Sequence, residues 1–122
     1  MPRAKVELIR EEDGSIRMTK ANLKRIVVSD DMYEFPELNN KLYLHFKGFF
    51  RIENLEEYVN LTTLWMESNA FRRIENLSHL QSLHTLFLHN NVIFKIEGLG
   101  KFIDPITKYR RVEEFKNSEF EP

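Results

Sequence analysis

The amino-acid sequence predicts an α/β fold in which short parallel strands recur along the chain. Three stretches align with one another at an interval of 22 residues, namely 42–60, 64–82 and 86–102. Six apolar columns stay in register across these units: Leu42/Leu64/Leu86, Leu44/Met66/Leu88, Phe49/Phe71/Ile93, Ile52/Ile74/Ile96, Leu55/Leu77/Leu99 and Tyr58/Leu80/Phe102. This interval lies within the roughly 20–29 residues of a leucine-rich repeat, in which a strand is followed by a short helical return. We therefore predict a short leucine-rich-repeat solenoid, with parallel strands on its concave face and a helical cap at each end.

The residues before the repeats predict a leader and a capping helix. Residues 1–18 mix charges without a continuous apolar core, which favours a flexible leader over a signal peptide. Thr19 can act as an N-cap. Three apolar residues then share one face of a helix: Leu23, Ile26 and Val27. We expect this helix, within a segment 19–41 that links to the first strand, to cover the open end of the repeats, since an uncovered end exposes the core.

Within the repeat region, 42–102, one surface column of the strands is aromatic. Side chains alternate between the two faces of a strand, so the residues between the inward leucines face the concave side. Three of them are aromatic: Tyr43, Trp65 and Phe87. Tyr and Trp dominate interface hot spots, which predicts a site that anchors a protein partner. In an alternative that is compatible with the first, the rings only stabilise one another, at about 0.2–1 kcal/mol per pair.

A polar column runs beside the aromatic one and consists of His45, Glu67 and His89. The two histidines lie two strands apart, roughly 10 Å between backbones. Zinc sites need at least three converging protein ligands, and no third ligand is evident. We therefore predict no metal and no cofactor, and interpret the column as a polar flank of the partner-binding face.

Two asparagines follow the second and third strands at equivalent positions, Asn69 and Asn91. Their amides are expected to satisfy backbone groups of the neighbouring turn and so to form a structural ladder. Lys47 holds this position in the first unit, which predicts that the ladder starts at the second.

The return segments carry columns of charge. The basic column is Arg51, Arg73 and Lys95, and the acidic column is Glu53, Glu75 and Glu97. The columns can neutralise one another on a solvated face, where each ion pair is worth about 0–1 kcal/mol. The functional alternative is a charged docking strip.

After the repeats, Asp104–Pro105 is typical of a helix start, with Asp as N-cap and Pro at the first helical position. We predict a short helix near 105–117 within a C-terminal cap or tail, 103–122.

Composition excludes several function classes. The 122 residues carry a formal net charge of -1 and no cysteine, so nothing points to nucleic acid, to a disulfide framework or to a thiolate metal site. No apolar run approaches the roughly 20 residues of a membrane span. Phosphate-binding loops and nucleophile elbows are absent from the sequence. We predict a non-enzymatic intracellular protein that binds other proteins, not membranes or small-molecule substrates.

The sequence also resembles a known family at positions outside the leucine skeleton. The matching runs are MTK (18–20), LYLHFKGF (42–49), RIENLEEY (51–58), LW (64–65), SN (68–69) and IENL (74–77). They are similar to the N-terminal repeat region of the dynein axonemal assembly factor 1 family, over about residues 18–99 and most specifically over 42–77. The resemblance implies a cilium-specific adaptor, in cytoplasm and cilium, that preassembles dynein arms by binding axonemal dynein chains or assembly co-chaperones. Members of that family carry more than three repeats and a longer C-terminal region, so partner sites in those repeats are not carried over.

Two other functions share this repeat class. Repeats of 22 residues also resemble those of the outer-arm dynein light chain and of the regulatory subunit of protein phosphatase 1. These resemblances imply a structural axonemal subunit or a phosphatase regulator as alternatives.

Overall fold

A computed structural model describes residues 5–96, and α1 (Lys20–Ser29) is its first helix. It begins at the predicted N-cap, where the Thr19 hydroxyl accepts the Asn22 N–H at 3.1 Å. The predicted apolar face is buried: Leu23, Ile26 and Val27. No helix in the described part of the chain is long and apolar enough to cross a membrane. A short 3-10 turn, Pro36–Leu38, then leads into the first strand.

Three short strands form a parallel sheet, which confirms the predicted α/β class. They are β1 (Lys41–Tyr43), β2 (Thr63–Trp65) and β4 (Thr85–Phe87), in the order β1-β2-β4. Partners pair at the 22-residue interval of the sequence, Leu42 with Leu64 and Leu64 with Leu86. The 22-residue repeat of the sequence therefore sets the register of the sheet.

The return segments differ from the short helices that a leucine-rich repeat predicts. A second parallel pair, β3 (Arg73–Ile74) with β5 (Lys95–Ile96), forms there instead, and no helix follows any strand within the described part of the repeats. Asn54 and Asn76, two residues after the column isoleucines, have φ of 63° and 59°. This left-handed conformation interrupts a right-handed helix, so the chain stays extended and turns.

The core lies between the strand side and the return side of the repeats. Every member of the apolar columns up to Ile93 is at most 4% exposed. These columns are confirmed within the described residues. The side chain of Ile96, the column members Leu99 and Phe102, and the predicted C-terminal helix lie outside them.

The segment interpreted as a flexible leader makes extensive contacts where the structure describes it. Met18 is fully buried, and Ile16 pairs in parallel with Phe49. The buried Asn22 amide holds the segment at two points: Oδ1 accepts the Ile9 N–H at 2.7 Å, and Nδ2 donates to the Ile9 and Arg17 carbonyls. A flexible leader would lack such contacts, so residues 5–18 form an additional layer on the first unit.

Candidate functional site

The three aromatic residues of the strands form one continuous stack. The ring centroids of Tyr43 and Trp65 are 4.5 Å apart with planes at 20°, and those of Trp65 and Phe87 are 5.5 Å apart at 14°. The pairing of Tyr43 with Trp65 and of Trp65 with Phe87 in the sheet sets these distances. All three side chains are half-buried, while Leu42, Leu64 and Leu86 before them are fully buried. The stack thus presents its outer surface to solvent from a rigid sheet.

The polar column lies next to the stack. Backbone bonds join successive units here, since the Glu67 carbonyl accepts the Phe46 N–H and the His89 carbonyl accepts the Ser68 N–H. The His45 ring meets Tyr43 edge-on at 6.4 Å. His45 Nδ1 and Glu67 Oε1 are both shielded, and neither has a hydrogen-bond partner among residues 5–96.

The polar column therefore holds two unsatisfied polar atoms close to the aromatic stack. Buried polar groups nearly always have partners, so these two atoms are exceptions within the described residues. Within the part of the chain that the structure describes, no three His, Asp or Glu side chains are grouped to hold a metal ion.

Phe46 is a further surface residue that the sequence analysis missed. It is 69% exposed and its ring meets His45 edge-on at 5.9 Å. Its φ is 53°, a left-handed value that it shares with Ser68 at 59° and Asn90 at 60°, its equivalents in the next two units. Asn tolerates this region well, whereas a bulky residue there is a genuine outlier. The signal was present in the aligned units, where an aromatic residue stands in a column of small polar ones.

Asn69 and Asn91 support the turn after each strand. Asn69 Oδ1 accepts the N–H groups of Lys47 and Phe49, both at 3.1 Å, and Nδ2 donates to the Leu44 carbonyl at 2.9 Å. Asn91 repeats this pattern one unit later, accepting from Phe71 at 3.0 Å. Each amide therefore joins its own turn to that of the preceding unit.

A second pair of asparagines does the same on the return side. Asn54 Nδ2 donates to the Met18 carbonyl at 2.9 Å, and Asn76 Nδ2 donates to the Ile52 carbonyl at 2.7 Å. Both residues lie inside the RIENL runs of the sequence, but no role was predicted for them. Their left-handed φ brings the side-chain amide back toward the neighbouring unit.

The acidic column of the return segments is not simply paired with the basic one. Both carboxylate oxygens of Glu53 are bound by the Arg17 guanidinium, with Nε donating to Oε2 at 3.1 Å and Nη2 to Oε1. Glu53 is only 8% exposed as a result. This hydrogen bond, together with the charge of Glu53, raises the pKa of Arg17. The first acidic residue thus ties the N-terminal segment to the repeats.

Comparison with known proteins confirms the resemblance noted in the sequence. The chain is 54% identical over 55 residues to dynein axonemal assembly factor 1 of Mus musculus and 56% identical over 50 residues to that of Homo sapiens. It is 50% identical over 60 residues to the dynein axonemal assembly factor 1 homolog of Drosophila erecta. These matches cover between 41% and 49% of this chain.

The matched segment is a small part of each relative. It spans 9% of the mouse protein, 7% of the human protein and 4% of the Drosophila protein. No protein-family model and no solved structure matches the chain.

Proposed function

We propose that this chain is a leucine-rich-repeat adaptor that acts in the cytoplasmic preassembly of axonemal dynein arms by binding a protein partner. The role is inferred from the names of the relatives, which are about half identical to this chain over the matched segment. Those names denote assembly factors, which supports a non-catalytic role. We infer dynein components or their assembly co-chaperones as partners, in cytoplasm and cilium.

We further propose that the repeats form a solenoid whose concave face is the three-stranded sheet. Four features that recur at 22-residue steps support this: the strand register, the second strand pair, the two sets of asparagine bonds and the left-handed residues after the strands. In such arrays each unit buries its core only against its neighbours.

The binding face in this proposal is the stack of Tyr43, Trp65 and Phe87 together with its polar flank. The single observation that carries it is the half-exposed aromatic stack on the sheet. Stacking already restricts these rings, so they lose little conformational freedom when a partner binds. Aromatic anchors also carry much of the energy of protein interfaces. His45, Glu67 and His89 border the stack, and Phe46 extends it with a largely exposed ring.

The test is to locate a tagged copy in ciliated cells before and after detergent extraction, and to examine axonemes by electron microscopy after depletion. The proposal expects a detergent-soluble cytoplasmic signal and loss of dynein arms, restored by the wild-type chain. A signal that resists extraction on the axoneme would favour the structural subunit instead. Recovery of a phosphatase catalytic subunit with the purified chain, without dynein chains, would favour the phosphatase regulator.

A further inference from the structure

The return side of the repeats carries a second candidate surface, away from the aromatic stack. We call it the basic–aromatic patch, and it consists of Phe50, Arg51, Arg72, Arg73 and Phe94. Phe50, Arg72 and Phe94 occupy the same position in successive units, so an arginine lies between two phenylalanines. The Phe94 N–H donates to the Arg72 carbonyl at 3.0 Å, which fixes these two units side by side.

Both kinds of side chain in this patch face solvent. Phe94 is 71% exposed and Phe50 is 43% exposed. The side chains of Arg51 and Arg72 are exposed, and neither guanidinium group forms an ion pair or a hydrogen bond within the described residues. A shallow cavity of about 310 Å³ is lined by Phe50, Arg51, Arg72, Arg73 and Glu75. Large exposed apolar residues rimmed by charge mark interaction sites.

Among residues 5–96, the guanidinium groups of Arg51 and Arg72 have no acidic partner. Arg17 holds both oxygens of Glu53, so the acidic residue nearest Arg51 in the sequence is already neutralised. Arg51 and Arg72 share the lining of the cavity with one carboxylate, that of Glu75. A basic surface on a chain whose formal net charge is -1 is a local feature that selects for an acidic partner.

We propose that the basic–aromatic patch binds an acidic segment of a protein partner in which carboxylates alternate with apolar side chains. Carboxylates pair with the guanidinium groups of Arg51 and Arg72, which present planar forks of donors suited to them. Apolar side chains cover Phe50 and Phe94. Glu75 within the lining and the absence of a general positive charge disfavour a nucleic acid or an anionic membrane. The patch lies on the return side of the repeats rather than on the three-stranded sheet, so the chain can bridge two partners.

The test uses the full chain and a fluorescein-labelled peptide of alternating Glu and Leu, with a Gln–Leu peptide as its uncharged counterpart. We expect fluorescence anisotropy to detect the Glu–Leu peptide only, with binding that weakens as salt is raised. Arg72→Glu is expected to weaken binding at least about tenfold, because it places a like charge in the interface. Phe94→Ala is expected to weaken it several-fold at unchanged net charge.

Lys20→Glu is the matched control, since it makes the same change of charge on an exposed residue of α1. If Lys20→Glu weakens the peptide as much as Arg72→Glu does, the effect is general electrostatics and the proposal is wrong. Equal binding of the Gln–Leu peptide would also overturn it. So would tighter, Arg72-dependent binding of single-stranded oligo-dT or of phosphatidylserine vesicles, which would assign the patch to another class of partner.

Discussion

The ladder of asparagine amides is predicted to be a main source of stability, and Asn91→Ala is the sharpest test of it. Asn91 is 2% exposed, accepts the Phe71 N–H at 3.0 Å and donates to the Leu88 carbonyl at 3.0 Å. Alanine leaves both backbone groups buried without that partner. Each such group costs about 1–3 kcal/mol, so we expect a loss of about 2–6 kcal/mol. That is a large part of the roughly 5–15 kcal/mol that stabilises a typical domain.

Urea denaturation followed by circular dichroism measures this loss, with the slope of the transition expected to stay unchanged. Asn60→Ala is the matched control, because its amide bonds to the Glu37 carbonyl at 2.7 Å in an exposed position where water can replace it. We expect the control to cost less than about 1 kcal/mol. If the two substitutions lower the free energy of unfolding equally, burial is not the reason that the asparagine ladder stabilises the protein, and the prediction is wrong.

Three further predictions concern single side chains. Burial, together with the charge of Glu57, raises the pKa of Tyr58 to about 12. The folded state therefore favours the neutral phenol, and stability that is complete below about pH 10 should fall by about 2 kcal/mol as pH rises toward 12. Denaturation curves across that range should lose this slope in Tyr58→Phe. Phe46→Asn should raise the free energy of unfolding by about 1 kcal/mol, because Asn tolerates the left-handed φ at this position. The same substitution should weaken partner capture. An unshifted unfolding curve would contradict the idea that Phe46 is strained at this φ. Asn22→Leu should lower the free energy of unfolding by at least about 2 kcal/mol and speed hydrogen exchange at the Ile9 amide, since that N–H loses its acceptor. Slow exchange in the variant would mean that other contacts hold residues 5–18 in place.

Features set by a repeating pattern were predictable from the sequence, because a period fixes both register and burial. The leucine columns predicted the core, and the helix start at Thr19 followed from capping chemistry. Features set by long-range contacts were not predictable. Arg17 and Glu53 are 36 residues apart in sequence, and no local signal marks them as a pair.

The return segments were predicted wrongly for a local reason. Asn54 and Asn76 lie inside the matching RIENL runs, but their left-handed conformation was not inferred from the sequence. Asn is enriched in that region, so its recurrence there was the available clue against a helix.

The same limit applies to the candidate surfaces. The aromatic stack follows from strand alternation and register, so the sequence predicted which rings lie side by side. The exposure of Phe46 and the lack of an acidic partner for Arg72 among residues 5–96 depend on how neighbouring units turn and on which carboxylate is already paired. These are properties of the folded chain and not of any single segment.

The most direct test of the central claim is quantitative recovery of axonemal dynein chains from ciliated-cell cytoplasm by the tagged chain and by Trp65→Ala. Loss of stacking with two neighbours costs about 0.5–1.5 kcal/mol per aromatic pair, so the variant should still fold, which circular dichroism checks. We predict that the wild-type chain recovers dynein chains and that folded Trp65→Ala recovers at least about tenfold less, as expected for a hot-spot residue. Equal recovery by the two would show that the aromatic stack is not the binding face.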